Sequence, residues 1–281
     1  MIGRVVGVDP RLLEEPDDLV NLVLRARHEQ ALSFFSTISQ RLVTVAAAAA
    51  GSGPDRILVE RVPSVSVPLP GDGWKVEHGF LHVPGGGRFD LTAVPRYPTM
   101  GVAMVRDFPG RMRGALVRRT RQASPELERR LHDLAGALKK HLTEEVEMPI
   151  IRVIGFGPGV YPAGDIALCG LLLTGRALGM GRVPVHWLGR LSMEVRRFMH
   201  RTTRFAAACL GYALEGRTTQ AQEAFFAAMA RDFEGAVDLA VEAVARERDG
   251  SGPAFLVGVR VALDMVRSDV FAIPTGAAPA A

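Results

Sequence analysis

The spacing of apolar residues divides the chain into an N-terminal part with short β-like runs and a C-terminal part with helical periodicity. Before residue 98, runs of a few apolar and β-branched residues alternate with glycine and proline clusters, which is typical of strands joined by turns. Strands this short and this regularly spaced predict a small antiparallel sheet or a partial barrel. The predicted strand segments are Phe34–Phe35, Arg41–Val45, Ile57–Val62, Val65–Val67, Trp74–Glu77 and Phe80–Val83.

One segment of the N-terminal part is predicted to be a helix instead. Leu19, Val20, Val23 and Leu24 fall on one side of a helix over residues 17–28.

After Pro98 the apolar residues take helical spacing. Ser124-Pro125-Glu126 is typical of a helix start, because serine is a common cap, proline suits the first helical position, and glutamate favours the positive end of the helix dipole. This helix is expected to run toward Glu147 and to end before Pro149. A later helix is expected to begin near Thr218, because apolar residues then recur every three or four positions. They are Phe225, Phe226, Met229, Phe233, Val237, Val241 and Val244.

The sequence therefore predicts an α+β fold. We expect a β-rich N-terminal part over residues 1–98, a helical part over residues 99–273, and a disordered tail over residues 274–281.

Composition favours a globular cytoplasmic protein. Apolar residues make up 48% of the chain and charged residues 23%, which is ordinary for a folded domain. No uncharged apolar stretch reaches the roughly 20 residues that a membrane span needs. Acidic residues follow the N-terminus closely, unlike the apolar core of a signal peptide. We therefore expect a cytoplasmic location and no membrane partner.

The net charge of +4 does not by itself indicate nucleic acid, and we expect no nucleic-acid partner. Aromatic residues are only 6% of the chain and do not interleave with the basic residues as a base-stacking surface would require. The densest basic run, from Arg111 to Arg121, is predicted to be the solvated face of a helix. Cys169 and Cys209 lie in apolar helical patterns and are predicted to be buried, and no metal or cofactor site is expected.

The segment from Gly155 to Gly164 is the strongest candidate for a functional site. It contains Gly155, Gly157, Gly159 and Gly164, and glycine allows positive φ and close approach of backbone N–H groups to a ligand. A helix starting near Asp165 would add free N–H groups and a positive dipole end, which together favour an anion. The alternative is a tight connection in which Asp165 only caps the helix.

A second segment repeats part of this pattern near the C-terminus. Gly250-Ser251-Gly252-Pro253 precedes an apolar helix over residues 255–266. Gly164 and Gly252 are each followed six residues later by another glycine, Gly170 and Gly258, which would allow the two helices to pack closely. If the repeat is real, both helix N-termini could face one cavity, with Ser251 and Gly252 binding the same anion. Chance similarity of two glycine-capped helices is the alternative.

These motifs resemble the AllH-type family, which includes one subunit of bacterial oxamate carbamoyltransferase. The family signature resembles Gly-Leu-Gly-Pro-Gly-Leu-Thr-Pro-Ser-Gly-Asp-Asp before a helix, and residues 155–166 read Gly-Phe-Gly-Pro-Gly-Val-Tyr-Pro-Ala-Gly-Asp-Ile. Tyr161, Ala163 and Ile166 thus replace a hydroxyl, a second hydroxyl and a second carboxylate. The resemblance implies the scaffold more strongly than the family reaction.

Two functions remain open from the sequence. The resemblance implies an enzyme or enzyme subunit that transfers a carbamoyl-type group on a small anionic, nitrogen-containing substrate, and a variant of this hypothesis is an enzyme that has diverged toward biosynthetic metabolism. Asp165 and His200 would then be catalytic, while the loop glycines, Tyr161 and Arg201-Thr202-Thr203 would line the pocket. The alternative is a non-catalytic subunit that binds a ligand or stabilises a complex. Protein partner subunits or a homo-oligomer fit either function.

Overall fold

The computed structural model of the protein forms two compact units. Unit 1 consists of Met1–Gly101 together with Arg217–Glu223, and unit 2 consists of Val102–Gly216 together with Ala224–Ala281. The structure describes residues 4–14, 21–37, 39, 41–63, 73–83, 87–92, 94–97, 101–103, 112–120, 124–140, 146–180, 185–231, 234–247 and 251–270.

The described residues of unit 1 form two sheets. The five-stranded sheet has the order β1-β5-β4-β3-β2, in which β4 and β5 are parallel and every other pair is antiparallel. Its strands are β1 (Val5–Val8), β2 (Leu22–His28), β3 (Ala31–Ser36), β4 (Leu42–Ala47) and β5 (Arg56–Val59), with a short helix α1 (Arg11–Glu14) after β1. The antiparallel three-stranded sheet consists of β6 (Lys75–Glu77), β7 (Phe80–Val83) and β8 (Gly87–Asp90).

Apolar side chains from both sheets form the core of unit 1. Phe34 and Trp74 are almost completely buried, and their ring centroids lie 4.5 Å apart. Aromatic pairs at this distance stabilise a core beyond the area that they bury.

The predicted helix over residues 17–28 is wrong, because Leu22–His28 is strand β2. Its side chains are alternately more and less buried, starting with buried Leu22 and exposed Val23, and this period of two is typical of a strand. In the sequence, the alternation of apolar and charged residues over 24–28 indicates a strand, whereas the spacing of apolar residues over 19–24 also fits a helix. Residues 15–20 lie outside the described part of the chain.

The predicted β-rich N-terminal part and helical C-terminal part are confirmed. The first sheet differs from the predicted antiparallel sheet in its one parallel pair, and strands β1 and β8 were not predicted. The predicted strand Val65–Val67 and the predicted tail over residues 274–281 lie outside the described residues.

The described residues after Gly101 form helices and the connections between them. The helices are α2 (Met112–Thr120), α3 (Pro125–Lys139), α4 (Glu147–Val153), α5 (Ala163–Met180), α6 (Trp187–Phe198), α7 (Arg204–Glu215), α8 (Gln220–Arg231), α9 (Glu234–Ala245) and α10 (Gly252–Val270). A 3-10 turn, Met199–Arg201, joins α6 to α7.

Two predicted helix boundaries need correction. Helix α3 begins at Pro125 as predicted but ends at Lys139, and a separate helix α4 continues through Pro149. Pro149 is tolerated because it lies in the first turn of α4, where the missing N–H would have no partner within the helix. The helix predicted from Thr218 is two helices, α8 and α9. The described residues of its apolar stripe are buried, which confirms that the stripe faces a core.

Helix α5 lies at the centre of unit 2. It is long and apolar enough to cross a membrane by composition alone, but 78% of it is buried inside the protein. A buried core helix meets the same criteria.

Glycine lets α5 and its main packing partner, α10, approach closely. A Cβ atom on Gly170 would overlap the Phe255 carbonyl oxygen, and one on Gly258 would overlap the Ala167 carbonyl oxygen. Phe255 precedes Gly258 by three residues, as Ala167 precedes Gly170, so the contact is reciprocal. The predicted close packing at Gly170 and Gly258 is confirmed.

Candidate functional site

The glycine-rich loop joins α4 to α5 in unit 2. Gly155, Gly157 and Gly159 have φ angles of 74°, 110° and 91°. Residues with a side chain rarely adopt these backbone conformations, so the path of the loop depends on glycine at all three positions.

Asp165 links this loop to the segment that precedes α7. Its side chain is completely buried, Oδ1 accepts a hydrogen bond from the Gly155 N–H at 3.0 Å, and Oδ2 accepts one from the Thr202 hydroxyl at 2.6 Å. Burial raises the pKa of Asp165, and the hydrogen bonds from Thr202 and Gly155 partly oppose that rise. Asp165 therefore ties together two segments that are 37 residues apart.

Gly164 is required by the packing of the loop. Its N–H donates to the Phe156 carbonyl at 2.8 Å, and a Cβ atom there would overlap the Val153 carbonyl oxygen. The N–H groups of Gly155 and Gly164 are thus bonded within the protein. Among the described residues, the N–H groups of Gly157 and Gly159 have no acceptor, and Gly159 is exposed.

Residues at the start of α7 hold the outer part of the loop. The Thr203 hydroxyl donates to the Val160 carbonyl at 2.6 Å and also caps α7 by accepting from the Ala206 N–H at 3.1 Å. Tyr161 packs edge-on against Phe205, with ring centroids 5.8 Å apart. The structure therefore brings Thr202, Thr203 and Tyr161 together with the loop.

His200 and Arg201 are exposed beside these threonines. His200 Nδ1 lies 3.0 Å from the Arg197 carbonyl oxygen, and its ring makes no hydrogen bond to Asp165. The Arg201 carbonyl oxygen lies against Gly155, at 3.4 Å from where a Cβ atom would be. The two catalytic candidates, Asp165 and His200, thus have separate hydrogen-bond partners.

The second loop shows a related local arrangement. A Cβ atom on Gly252 would overlap the Val244 carbonyl oxygen near the end of α9. In the same way, a Cβ atom on Gly164 would overlap the Val153 carbonyl oxygen at the end of α4. Ser251 is nearly buried, and its carbonyl accepts from the Phe255 N–H at 3.1 Å. Gly250 lies outside the described residues. A shared cavity at the two helix N-termini stays a prediction.

Arg130 on α3 contacts the glycine-rich loop, which the sequence did not indicate. Its guanidinium stacks over the Phe156 ring at 4.1 Å and donates to the Arg152 carbonyl, while Nε donates to Glu126 at 2.7 Å. An arginine far away in sequence gives no local signal of such a contact, although Glu126 and Arg130 are four residues apart on one helix face.

The described residues contain no group of three or more His, Cys, Asp or Glu side chains that could hold a metal ion. Cys169 is buried and free, and burial raises its thiol pKa well above the ordinary value. Cys209 is only partly buried, so the prediction of burial is confirmed for Cys169 and only in part for Cys209.

Comparison with known families identifies the segment that contains this site. Residues 153–263 match the family described as oxamate carbamoyltransferase subunit AllH. Over this segment, the chain resembles AllH. The AllH-like segment runs from the end of α4 into α10 and contains every predicted site residue. No curated protein and no solved structure matches the chain. The segment is therefore similar to a carbamoyltransferase subunit.

Proposed function

We propose that the protein is a subunit of a carbamoyltransferase-type enzyme and that the glycine-rich loop binds a small anionic, nitrogen-containing substrate. One observation carries this proposal: the AllH-like segment begins at the loop, whose shape is maintained by the Asp165 hydrogen bonds to Gly155 and Thr202. The replacement of signature positions by Tyr161 and Ile166 favours a diverged substrate and a role in biosynthetic metabolism. We also propose a cytoplasmic location.

The electrostatics of the loop support an anion. Gly157 and Gly159 present N–H groups without acceptors among the described residues, and glycine leaves no side chain in front of them. Arg201 and Arg204, on either side of the two threonines, have no carboxylate partner in the described part of the chain. Backbone N–H groups and guanidinium groups are common ligands of phosphate and carboxylate groups.

Carbamoyl transfer places specific demands on such a site. The acceptor nitrogen forms a bond to the carbamoyl carbon, the bond from that carbon to the leaving phosphate oxygen breaks, and the acceptor nitrogen loses a proton. Backbone N–H groups would stabilise the negative charge on the oxygen atoms. Exposed His200 is our candidate to accept the proton. Asp165 keeps the loop in place and would accept a proton only if Thr202 turned away.

The alternative function is a non-catalytic subunit that binds a ligand or stabilises a complex. The burial of Asp165 and the use of both its oxygen atoms favour this alternative, because a bonded, buried carboxylate is poorly placed as a base.

Calorimetric titration of the purified chain with phosphate, oxamate and carbamoyl phosphate tests the anion site. We expect at least one of them to bind, and Gly159→Val to weaken binding by about tenfold or more, because its φ of 91° is strained for valine and its N–H would move. The control is Gly136→Ala, an exposed glycine in α3 with no atom near its Cβ position. If wild-type protein binds none of the three compounds, the anion site is wrong.

An activity assay separates the two functions. The chain, alone and together with its co-purified subunits, is incubated with carbamoyl phosphate and oxamate, and carbamoylated oxamate is measured. Product that depends on the chain supports the enzyme. If the protein binds the anion but neither preparation forms product from oxamate or related amides, the result supports the non-catalytic subunit.

A further inference from the structure

The hydrogen bond between Thr202 and Asp165 has the geometry of a nucleophile and its base. The Thr202 hydroxyl donates to Asp165 Oδ2 at 2.6 Å, and Asp165 Oδ1 accepts from the Gly155 N–H at 3.0 Å. A hydroxyl bonded to a base, with the base held in turn by a third group, is the arrangement that activates serine and threonine nucleophiles. The three groups form a hydrogen-bonded chain from the glycine-rich loop to the Thr202 oxygen.

The burial of the two side chains differs in the way that this chemistry requires. Asp165 is completely buried, whereas Thr202 is only partly buried. Burial also raises the pKa of Asp165, so its carboxylate binds a proton more tightly than an exposed one. A substrate proton would reach Asp165 only if Thr202 turned away, but the Thr202 proton already lies in its hydrogen bond. Asp165 therefore acts on a substrate through the Thr202 hydroxyl.

Helix capping does not account for the Thr202 hydroxyl. The neighbouring Thr203 caps α7, because its hydroxyl oxygen accepts from the Ala206 N–H at 3.1 Å. The Thr202 oxygen lies 4.0 Å from where a Cβ atom on Gly155 would be, so the glycine leaves room beside it. The hydroxyl is thus bonded to the buried carboxylate and has a side-chain-free residue as its neighbour.

We infer that Thr202 is the nucleophile of the carbamoyl transfer and that the reaction passes through a carbamoyl-threonine enzyme. This inference rests on the proposed function, in which a carbamoyl group leaves a phosphate oxygen. It divides the same net reaction into two steps, each with its own attacking atom.

In the first step, Thr202 Oγ1 forms a bond to the carbamoyl carbon, and the bond from that carbon to the phosphate oxygen breaks. The Oγ1 proton moves to Asp165 Oδ2, and phosphate leaves with the bonding electrons and takes up a proton from water. In the second step, the acceptor nitrogen forms a bond to the carbamoyl carbon, and the bond from that carbon to Oγ1 breaks. Asp165 returns its proton to Oγ1, and His200 accepts the proton that the nitrogen loses.

The test incubates the full chain, alone and with its co-purified subunits, with carbamoyl phosphate and no acceptor. We expect mass spectrometry of the intact protein to show one added carbamoyl group, and peptide sequencing to place it on Thr202. A parallel incubation with cyanate, into which carbamoyl phosphate decomposes, identifies nonspecific reaction at amines.

Matched variants separate a nucleophile from a structural hydroxyl. Thr202→Val and Asp165→Asn should each lower carbamoylation by about a hundredfold or more, because one removes the attacking oxygen and the other removes the base. Thr202→Ser keeps a hydroxyl and should still be carbamoylated at position 202, which tests the inference even if Thr202→Val does not fold. The control is Thr92→Val, because the exposed Thr92 hydroxyl also donates to an aspartate, Asp90, at 2.6 Å. This control should react like wild type.

Exchange of labelled phosphate into carbamoyl phosphate provides a second measurement. A carbamoyl-enzyme catalyses this exchange without an acceptor, whereas direct transfer does not. Wild type and Thr202→Ser should catalyse the exchange, and Thr202→Val should not.

Three results would overturn the inference. They are the absence of both adduct and exchange in either preparation, wild-type carbamoylation of Thr202→Val, and equal carbamoylation of Thr92. If calorimetric titration shows that the chain binds carbamoyl phosphate, such a result rejects only the covalent step. If no anion binds, the proposed anion site is wrong as well.

Discussion

At the scale of single residues, Asp165 shows how a side chain in the glycine-rich motif acts by holding two segments together. Its two oxygen atoms are both used, one by a backbone N–H of the loop and one by a hydroxyl 37 residues later. The sequence pattern indicated a helix cap or a base, whereas the structure makes Asp165 the link between two segments of the candidate site.

Asp165→Asn should change stability little at neutral pH, by about 1 kcal/mol or less, because the amide oxygen still accepts from Gly155 and the Thr202 hydroxyl can turn to accept from the amide. The stability of the wild-type protein and that of Asp165→Asn should depend differently on pH. Burial raises the folded-state pKa of Asp165 above its ordinary value of 3.8, so the folded protein holds that proton more tightly than the unfolded chain. This contribution to stability is present below pH 3.8 and is lost as pH rises through the raised pKa.

Urea unfolding of both proteins, from below pH 3.8 to neutral pH, measures this effect. Wild-type stability relative to Asp165→Asn should fall as the pH increases across that window. A difference that is constant with pH would show that the Asp165 pKa is not raised.

Arg130→Leu should loosen the glycine-rich loop. The change removes the cation–aromatic contact with Phe156 and the hydrogen bond to the Arg152 carbonyl, but leaves an apolar side chain on α3. We expect amide hydrogen exchange over residues 155–162 to become about tenfold faster or more. Exchange in α5, which is slower than in the loop, should not change. Arg129→Leu is the matched control, because Arg129 is exposed and pairs only with Glu126 within the described residues. Equal protection of the loop in both variants would contradict a positioning role for Arg130.

At the scale of secondary-structure elements, the crossing of α5 and α10 is set by two glycines. Gly170 and Gly258 bring each helix against a backbone carbonyl of the other. Because the contact atoms are backbone rather than flexible side-chain ends, a methyl group can fit only if the helices separate.

Gly170→Ala and Gly258→Ala should each destabilise the protein by about 1–3 kcal/mol, despite the higher helix propensity of alanine. The double variant should cost less than the sum, since the separation forced by the first methyl group makes room for the second. Chemical denaturation measures all three, and Gly136→Ala, exposed in α3 without a nearby atom, should be stabilising by about 1 kcal/mol. Stability equal to wild type for both single variants would mean that the helices are farther apart than described.

The sequence predicted those features that depend on local patterns. The glycine pairs predicted close helix packing, and alternating turns and short apolar runs predicted the β-rich part. Strand β2 was missed because Leu19 to Leu24 fit both a helix and a strand spacing, and only the charged residues after Leu24 distinguish the two. The parallel pairing of β4 with β5 and the Arg130 contact depend on tertiary structure, which leaves no periodic signal in one sequence.

At the scale of the whole molecule, unit 1 is assembled from two distant parts of the chain. Arg217, 6% exposed, bonds to Asp9 at 2.6 Å and lies 3.5 Å from Asp55, although Asp9 and Arg217 are 208 residues apart. Arg41 contacts Asp55 at 2.8 Å, and Asp9 also accepts from the Asp55 N–H at 2.8 Å. The cluster therefore attaches the segment Arg217–Glu223 to the strands of unit 1.

Arg217→Met should destabilise unit 1 by about 3–5 kcal/mol, because it keeps much of the apolar volume but leaves the buried Asp9 carboxylate without its guanidinium partner. Adding Asp9→Asn should recover part of this loss, since the uncompensated charge is then absent. The matched control is Arg118→Met, which breaks an ion pair with Asp238 whose side chains are 64% and 63% exposed and should cost less than about 1 kcal/mol.

The measurement is urea unfolding in a Trp187→Phe background, with tryptophan fluorescence as the signal. The chain has two tryptophans, and Trp74, which is 1% exposed, then reports on unit 1 alone. A loss for Arg217→Met no larger than that for Arg118→Met would show that the segment 217–223 does not hold unit 1 together. A full loss that Asp9→Asn fails to relieve would instead assign the cost to lost packing of the arginine stem rather than to an unpaired charge.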